Sequence, residues 1–180
     1  EESLEGGPLQ GIRKGVEGGE LQLAEALTLL VQLMVNMTSA NALQSMVYRL
    51  ASEPEAAAAA RAEPERLAPA FVQEVLRLDA PLQRNPRRVL KQPTRGKLAG
   101  AKLSEGDQVL CFIGAANMDP AVYESPEQFQ LDRVLEGVST PLSFGTGMHY
   151  CLGSSLVRME MRLALECLLR RFSSVAVVDH

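Results

Sequence analysis

The sequence has no tryptophan, and aromatic residues make up only 4% of its 180 positions. It therefore lacks the stacking platforms used to hold single-stranded nucleic acid, and its net charge of −4 offers no cationic surface for phosphates. No nucleic-acid partner is expected. Cysteine is scarce as well. Cys111, Cys151 and Cys167 are an odd number without close spacing, which argues against a disulfide framework or a zinc knuckle and suits a reducing compartment. Histidine occurs only at 149 and 180, too seldom for a histidine-based metal site. No eighteen apolar residues run uninterrupted, and the opening Glu1-Glu2-Ser3 is not a signal sequence, so no membrane segment is expected and the expected location is cytoplasmic.

What is present is mostly helical in pattern. From Leu21 to Leu50, apolar residues recur at 23, 26, 27, 30, 33, 34, 37, 43, 46, 47 and 50, which predicts one amphipathic helix roughly 45 Å long. Further helical patterns cover 67–78 and 153–171, and Ala56 to Ala60, bounded by Pro54 and Pro64, reads as a helical connector. Strand-like segments near Val89-Leu90, Leu98 to Leu103 and Gln108 to Ile113 are short, and Ser104-Glu105-Gly106-Asp107 is predicted to join the last two as a hairpin. The expected fold class is mainly α with a small β-sheet. The first twenty residues, with Gly6-Gly7-Pro8 and Gly18-Gly19, read as loop and linker. Cys111 lies in an apolar strand-like run and Cys167 on an apolar helical face, and both are expected to fill the core.

The most informative stretch is Phe144-Gly145-Thr146-Gly147-Met148-His149-Tyr150-Cys151-Leu152-Gly153. It places one thiol in a glycine-rich loop directly before a long helical pattern. Amides at a helix N-terminus and the positive end of the macrodipole favour the thiolate. Such a thiolate suits either a nucleophile or a single axial metal ligand. Glycines at 145, 147 and 153 remove bulk where something large and flat would approach the backbone.

This run resembles the cysteine-ligand loop of the heme-thiolate monooxygenases, the cytochrome P450 family, in its bacterial form Phe-Gly-x-Gly-x-His-x-Cys-x-Gly. The continuation Leu156-Val157-Arg158-Met159-Glu160 is similar to that family's Leu-Ala-Arg-x-Glu. The resemblance implies heme b (iron protoporphyrin IX) as cofactor, Cys151 as its proximal iron ligand, and His149 as a hydrogen-bond partner of a heme propionate. Phe144, Gly145 and Gly153 would border the cofactor. It runs from about Leu21 to Phe172, so the expected organisation is a linker over 1–20, a heme-binding portion over 21–172 and a terminal strand or tail over 173–180. The family builds domains more than twice as long. Three readings of that shortfall stay open: a piece of a longer protein, a companion chain that completes the fold, or a reduced natural form.

Two more motifs occur in family order. Glu74 and Arg77 lie three apart and so share a helical face on which they can pair. They look like the family's Glu-x-x-Arg pair, and Arg133 matches the arginine closing its Phe-Asp-x-x-Arg segment. By the resemblance these three support the heme site without being catalysts. Gly114 to Pro120 is similar to the family's Ala-Asn-Arg-Asp-Pro turn, with Met118 in place of the arginine, although Asn and Asp before Pro also form ordinary turns. After the Glu-x-x-Arg helix, family members place a basic residue against the heme carboxylates. Arg88 is expected in that role with Arg87 close behind, and a solvated basic cluster is the alternative.

On the other side of the cofactor, Met34-Val35-Asn36-Met37-Thr38 aligns with the oxygen-binding helix's Ala-Gly-x-Asp/Glu-Thr. Thr38 is matched, and with Ser39 it is the implied catalytic pair, holding water that delivers protons. Val35 stands where the family has glycine and would border the cofactor. Met37 stands where the family has an acid. Methionine cannot carry a proton, and valine narrows the groove over the iron. The resemblance thus implies monooxygenation of a small organic substrate, of the kind found in secondary metabolism. Cys151 would donate electron density to the iron, and a ferredoxin-type donor would deliver electrons at the basic face near Arg158 and Arg162. Met37 keeps open a peroxide-driven or a non-oxygenating dehydratase or isomerase reaction. A non-catalytic helper is the third reading, and the intact Cys151 argues against it.

Overall fold

The computed structural model describes residues 7–34, 37–91, 97–98, 100–137 and 140–178. Its contacts divide the chain into two compact units, Glu1–Met37 and Thr38–His180.

The first unit holds α1 (Pro8–Glu17) and α2 (Leu23–Met34). Pro8 begins α1 at a position where a missing N–H costs nothing and a fixed φ helps. Gly7 caps the start of this helix, and Gly18 and Gly19 end it. Gly19 takes φ +74, and the chain doubles back so that the amides of Glu20 and Leu21 both donate to the Gly15 carbonyl, at 2.8 and 2.9 Å. Leu21 then lies directly on Gly15, where a Cβ would come within 2.7 Å of its Cδ1. Residues 8–17, expected as loop, are therefore helical.

The long helix expected over 21–50 is described as two helices, α2 and α3 (Met37–Ser52). Val35 and Asn36 between them lie outside the described residues.

The second unit is built around α5 (Pro64–Leu78), against which α4 (Pro54–Ala62), α7 (Asp132–Leu135) and α8 (Ser154–Arg171) pack. Pro54 and Pro64 sit in the first turns of α4 and α5, so each proline starts a helix and breaks none. The core joins Ala42, Met46 and Leu50 of α3, Phe71, Val75 and Leu76 of α5, and Met161, Leu165 and Leu169 of α8. Arg61 of α4 closes the end of α8 by donating to the carbonyls of Leu169 at 3.2 Å and Phe172 at 3.0 Å. Beyond it, residues 173–178 form no strand, and Val175 packs against the core.

Strand pairing differs from expectation. β1 (Arg84–Arg88) pairs antiparallel with β4 (Gln108–Phe112), while β2 (Lys97–Leu98) pairs with β3 (Ala101–Lys102). The tight turn at Gly100, φ +86, closes β2 on β3. The predicted turn at Ser104–Asp107 does form, with Asp107 accepting from the Ser104 amide at 2.7 Å, but it delivers β4 to β1. The main-chain bonds from Val89 to Asp107 at 2.9 Å and from Gly106 back to Val89 at 2.8 Å extend that ladder. A short helix, α6 (Ile113–Ala116), follows β4 directly.

Cys111 and Cys167 are both exposed, contrary to the expected core role. Every residue of β4 but Val109 is exposed, and Cys167 lies off the buried stripe Met161, Leu165, Leu169 of α8. The stretch Leu23–Ser52 is long and apolar enough to cross a membrane by length and composition alone. Helices that pack into the middle of a large fold share that property.

Candidate functional site

The loop before α8 is shaped by its own backbone. A 3-10 turn at Leu142–Phe144 leads into Gly145, whose φ 73 and ψ −163 are open essentially to glycine alone. A second 3-10 turn spans Gly147–His149. The chain then returns so that the Cys151 amide donates to the Phe144 carbonyl at 2.9 Å, and the Ser154 amide donates to the Cys151 carbonyl at 3.2 Å. Gly153 is the N-cap of α8. The Cys151 thiol is thus exposed two residues ahead of that cap. Gly153 stands behind the thiol, its would-be Cβ 3.9 Å from Sγ, and does not join the cavity wall described below.

Beneath the loop, Glu74, Arg77 and Arg133 form one buried network. Glu74 and Arg77 are each 1% exposed and Arg133 is 6% exposed. Arg77 grips both Glu74 oxygens, at 2.8 and 2.7 Å, and Glu74 Oε1 also accepts from the Gln130 amide at 3.0 Å and from Arg133 Nε at 3.3 Å. The remaining guanidinium donors reach carbonyls: Arg77 those of Asn117, Pro126 and Gln128, and Arg133 that of Ser125. Two arginines against one carboxylate stay buried because their N–H groups are met.

Sequence reasoning missed two residues of this frame, Asn117 and Ser143. The Asn117 side chain accepts from the Leu142 amide at 2.7 Å and donates to Ser143 Oγ at 2.9 Å, and Ser143 donates to the Leu76 carbonyl. No sequence signal marks Asn117 as buried, because Asn before Asp-Pro also describes an exposed turn.

A cavity of about 850 Å³, which includes open solvent, lies beside the thiol. Thr38 and Ser39 of α3 line it together with Leu76, Phe144, His149 and Cys151, so the chain brings the expected catalytic pair and the expected ligand to one space. Gly145 lines it too, and a Cβ there would have nothing nearer than 3.9 Å. Arg87, not Arg88, reaches this space. In β1 alternate residues share a face, so Asn85 and Arg87 look into the cavity while Arg88, opposite Gln108, turns away. Arg87 donates to Asn85 Oδ1 and to the Pro86 carbonyl. The expected Val35 contact lies outside the described residues. Met37 is 73% exposed.

These residues fit a flat, apolar macrocycle that carries carboxylates and needs one sulfur ligand. The wall has apolar side chains at Leu76, Leu142, Phe144 and Val157, room at Gly145, an imidazole and a guanidinium for the acids, and an accessible thiol.

On the outer side of the loop, the Arg158 guanidinium lies 4.4 Å over the Phe144 ring, donates to Tyr150 Oη at 3.0 Å and to Gln73 Oε1 at 3.3 Å. Hydrogen bonds with Ser154 and then Arg158 hold the Tyr150 phenol below its usual pKa. Arg162 forms a partly buried i,i+4 pair with Glu166 at 3.5 Å.

The family model for cytochrome P450 matches residues 12–177. The chain belongs to the cytochrome P450 family. It is 38% identical over 163 residues to cytochrome P450 144 of Mycobacterium tuberculosis, covering 89% of this chain and 36% of that protein. It is 33% identical over 168 residues to the biotin biosynthesis cytochrome P450 of Bacillus subtilis, covering 92% and 41%. Among solved structures, cytochrome P450 CREJ superimposes with a TM-score of 0.82 at 32% identity, over 94% of this chain and 42% of that one. P450BioI in complex with a hexadecenoic acid-ligated acyl carrier protein gives a TM-score of 0.80 at 30% identity, over 95% and 47%. The chain therefore spans less than half the length of these P450 relatives. Members of the P450 family bind heme b, and the fit described above agrees with that cofactor.

Proposed function

We propose that this chain acts as a heme-thiolate oxidoreductase that carries out monooxygenation of a small organic substrate, with Cys151 as the single protein ligand to iron. The observation that carries the proposal is the exposed Cys151 thiol, fixed by a closed backbone loop and facing the same cavity as Thr38 and Ser39. Heme b, when bound, supplies the oxygen chemistry. The chain's own residues do the rest. The Cys151 sulfur is offered to the iron from the loop just ahead of α8. Arg87 and His149 provide charge and hydrogen bonds for the carboxylates. Leu76, Phe144 and Val157 keep water from the macrocycle. The Oγ atoms of Thr38 and Ser39 hold water and pass protons on the far side. Glu74, Arg77 and Arg133 keep the loop in place.

A ferredoxin-type donor is proposed to dock on the face of α8 near Arg162, with Arg158 holding the loop beneath it. The protein is proposed to work in the cytoplasm. Met37 favours a second reading, a peroxide-driven or non-oxygenating reaction, since an exposed thioether replaces the family's acid.

The test is the absorption spectrum of the heme-loaded chain reduced under carbon monoxide. A thiolate-type Soret shift is expected, and Cys151→Ser should abolish it. A band that survives the exchange, or a parent chain that never shows one, removes the reading. Turnover with dioxygen and a reductant compared with hydrogen peroxide separates the two reactions, and Met37→Glu should raise the dioxygen route.

A further inference from the structure

We propose that Asn117 is the positioning residue of the cysteine loop: it carries the buried Glu74–Arg77 network through to the backbone that aims the Cys151 sulfur. The inference rests on the heme reading for what the sulfur does, and on the hydrogen bonds alone for how it is held.

Asn117 is 0% exposed. Every polar group it has is engaged. Its amide donates to the Ile113 carbonyl at 3.0 Å, which anchors it to α6, and its carbonyl accepts from Arg77 Nη1 at 3.0 Å. Its Oδ1 takes the Leu142 amide at 2.7 Å, and its Nδ2 donates to Ser143 Oγ at 2.9 Å. One carboxamide thus holds two successive residues of the turn that opens the loop. That turn ends at Phe144, whose carbonyl accepts the Cys151 amide at 2.9 Å. A shift of residues 142–144 moves that acceptor, and Cys151 moves with it.

Only a carboxamide offers an acceptor and two donors on so short an arm. An ionised Asp has no N–H for Ser143, and a Leu of similar shape leaves the Leu142 amide unpaired. Asn117 is also distinct from a turn former. A turn-forming side chain bonds its own backbone two residues on, and here Asp119 does that, accepting from the Ala121 amide at 2.9 Å. The turn chemistry and the strut belong to neighbouring but different residues.

The experiment uses the full chain with and without heme. In the heme-free chain, Asn117→Ala should speed amide hydrogen exchange at Leu142 and Cys151 about tenfold, leaving Val75 and Leu165 unchanged. Ser143→Ala keeps the bond to the Leu142 amide and should give a smaller increase at the same two sites. In the heme-loaded chain reduced under carbon monoxide, Asn117→Ala should convert most of the thiolate-type band to the blue-shifted form at unchanged total heme. Unaltered exchange at both amides overturns the proposal, as does an increase spread evenly over α5 and α8. If circular dichroism shows that Asn117→Ala does not fold, Ser143→Ala decides alone, and exchange identical to the parent at Leu142 and Cys151 overturns it. A parent chain without the thiolate band defeats the heme reading, while the exchange rates still decide the strut.

Discussion

Helices α3 and α5 are nearly equal in length, 16 and 15 residues, yet α5 buries nine side chains and α3 three. Both carry apolar and polar residues in helical register, so composition does not explain the contrast. Cover does. α5 has α4, α7, α8 and the Leu142–Phe144 turn around it, and two of its charged residues, Glu74 and Arg77, are kept inside because each finds partners there. α3 packs through Ala42, Met46 and Leu50 and leaves Val47 and Tyr48 40% and 54% exposed. The Cys151 side of the cavity is thus framed by polar groups satisfied within the chain, while the Thr38 side stands on a helix held along one stripe. Precise placement of Cys151 comes from the first region.

The largest effect that tests this contrast is Glu74→Ala. Removing the carboxylate strands Arg77 and Arg133 without their shared anion, and breaking a buried ion network by deleting one partner costs about 3–5 kcal/mol. Val47→Ser on the half-open face of α3 should fall within about 0.5 kcal/mol. Urea unfolding of both variants measures the ratio. A Glu74→Ala cost as small as that of Val47→Ser would mean that α5 is held by apolar packing alone.

The uneven cover also explains what could be read from sequence. The cysteine loop was legible because its glycines, its thiol and the helix that follows are consecutive, and local φ requirements at Gly145 tie residue type to conformation. The helices were legible from their spacing, and Glu74 and Arg77 from sharing a face. Arg88 is expected ahead of Arg87 because spacing cannot say which face of β1 turns inward; that depends on β4, which begins only at Gln108 and pairs with Arg88 across residues 89–107. The expected hairpin failed for the same reason, since the Ser104–Asp107 turn specifies a reversal but no partner. Asn117 was invisible as a strut because its partners Leu142 and Ser143 are 25 and 26 residues away. Cys111 and Cys167 sit in apolar sequence, but nothing in an apolar run says whether another element will cover it.

A smaller effect sharpens the boundary between the two regions. Arg49 of α3 grips Asp79, at the end of α5, through Nε at 2.6 Å and Nη2 at 3.0 Å, and also reaches Glu53 at 3.1 Å. The hydrogen bond with Asp79 holds its guanidinium pKa above the ordinary value. The pair is bidentate but only partly buried, so solvent screening limits it. A double-mutant cycle with Arg49→Met and Asp79→Asn should give a coupling of about 1 kcal/mol. Coupling near zero would leave Ala42, Met46 and Leu50 as the whole attachment of α3 to α5, and the contrast between the helices would be sharper still.

The smallest effect concerns the outer face of the cysteine loop. Tyr150 is 46% exposed and its phenol is held below its usual pKa by Ser154 and Arg158. A lowered acidic pKa means that the folded heme-free chain releases this proton more readily than the unfolded one. The resulting stability is complete above the unfolded value of about 10 and is lost as pH falls through the lowered native value. The stability difference between the parent and Tyr150→Phe should therefore shift in the parent's favour as pH rises between those two values, and near-ultraviolet titration should show one of the three tyrosines ionising early. Salt should weaken the shift, because the phenol is half exposed. The sign matters more than the size. A difference that stays flat with pH would mean that Arg158 does not hold Tyr150 in solution. Its guanidinium would then keep only the Phe144 ring and Gln73, and the outer brace of the loop would rest on those two contacts.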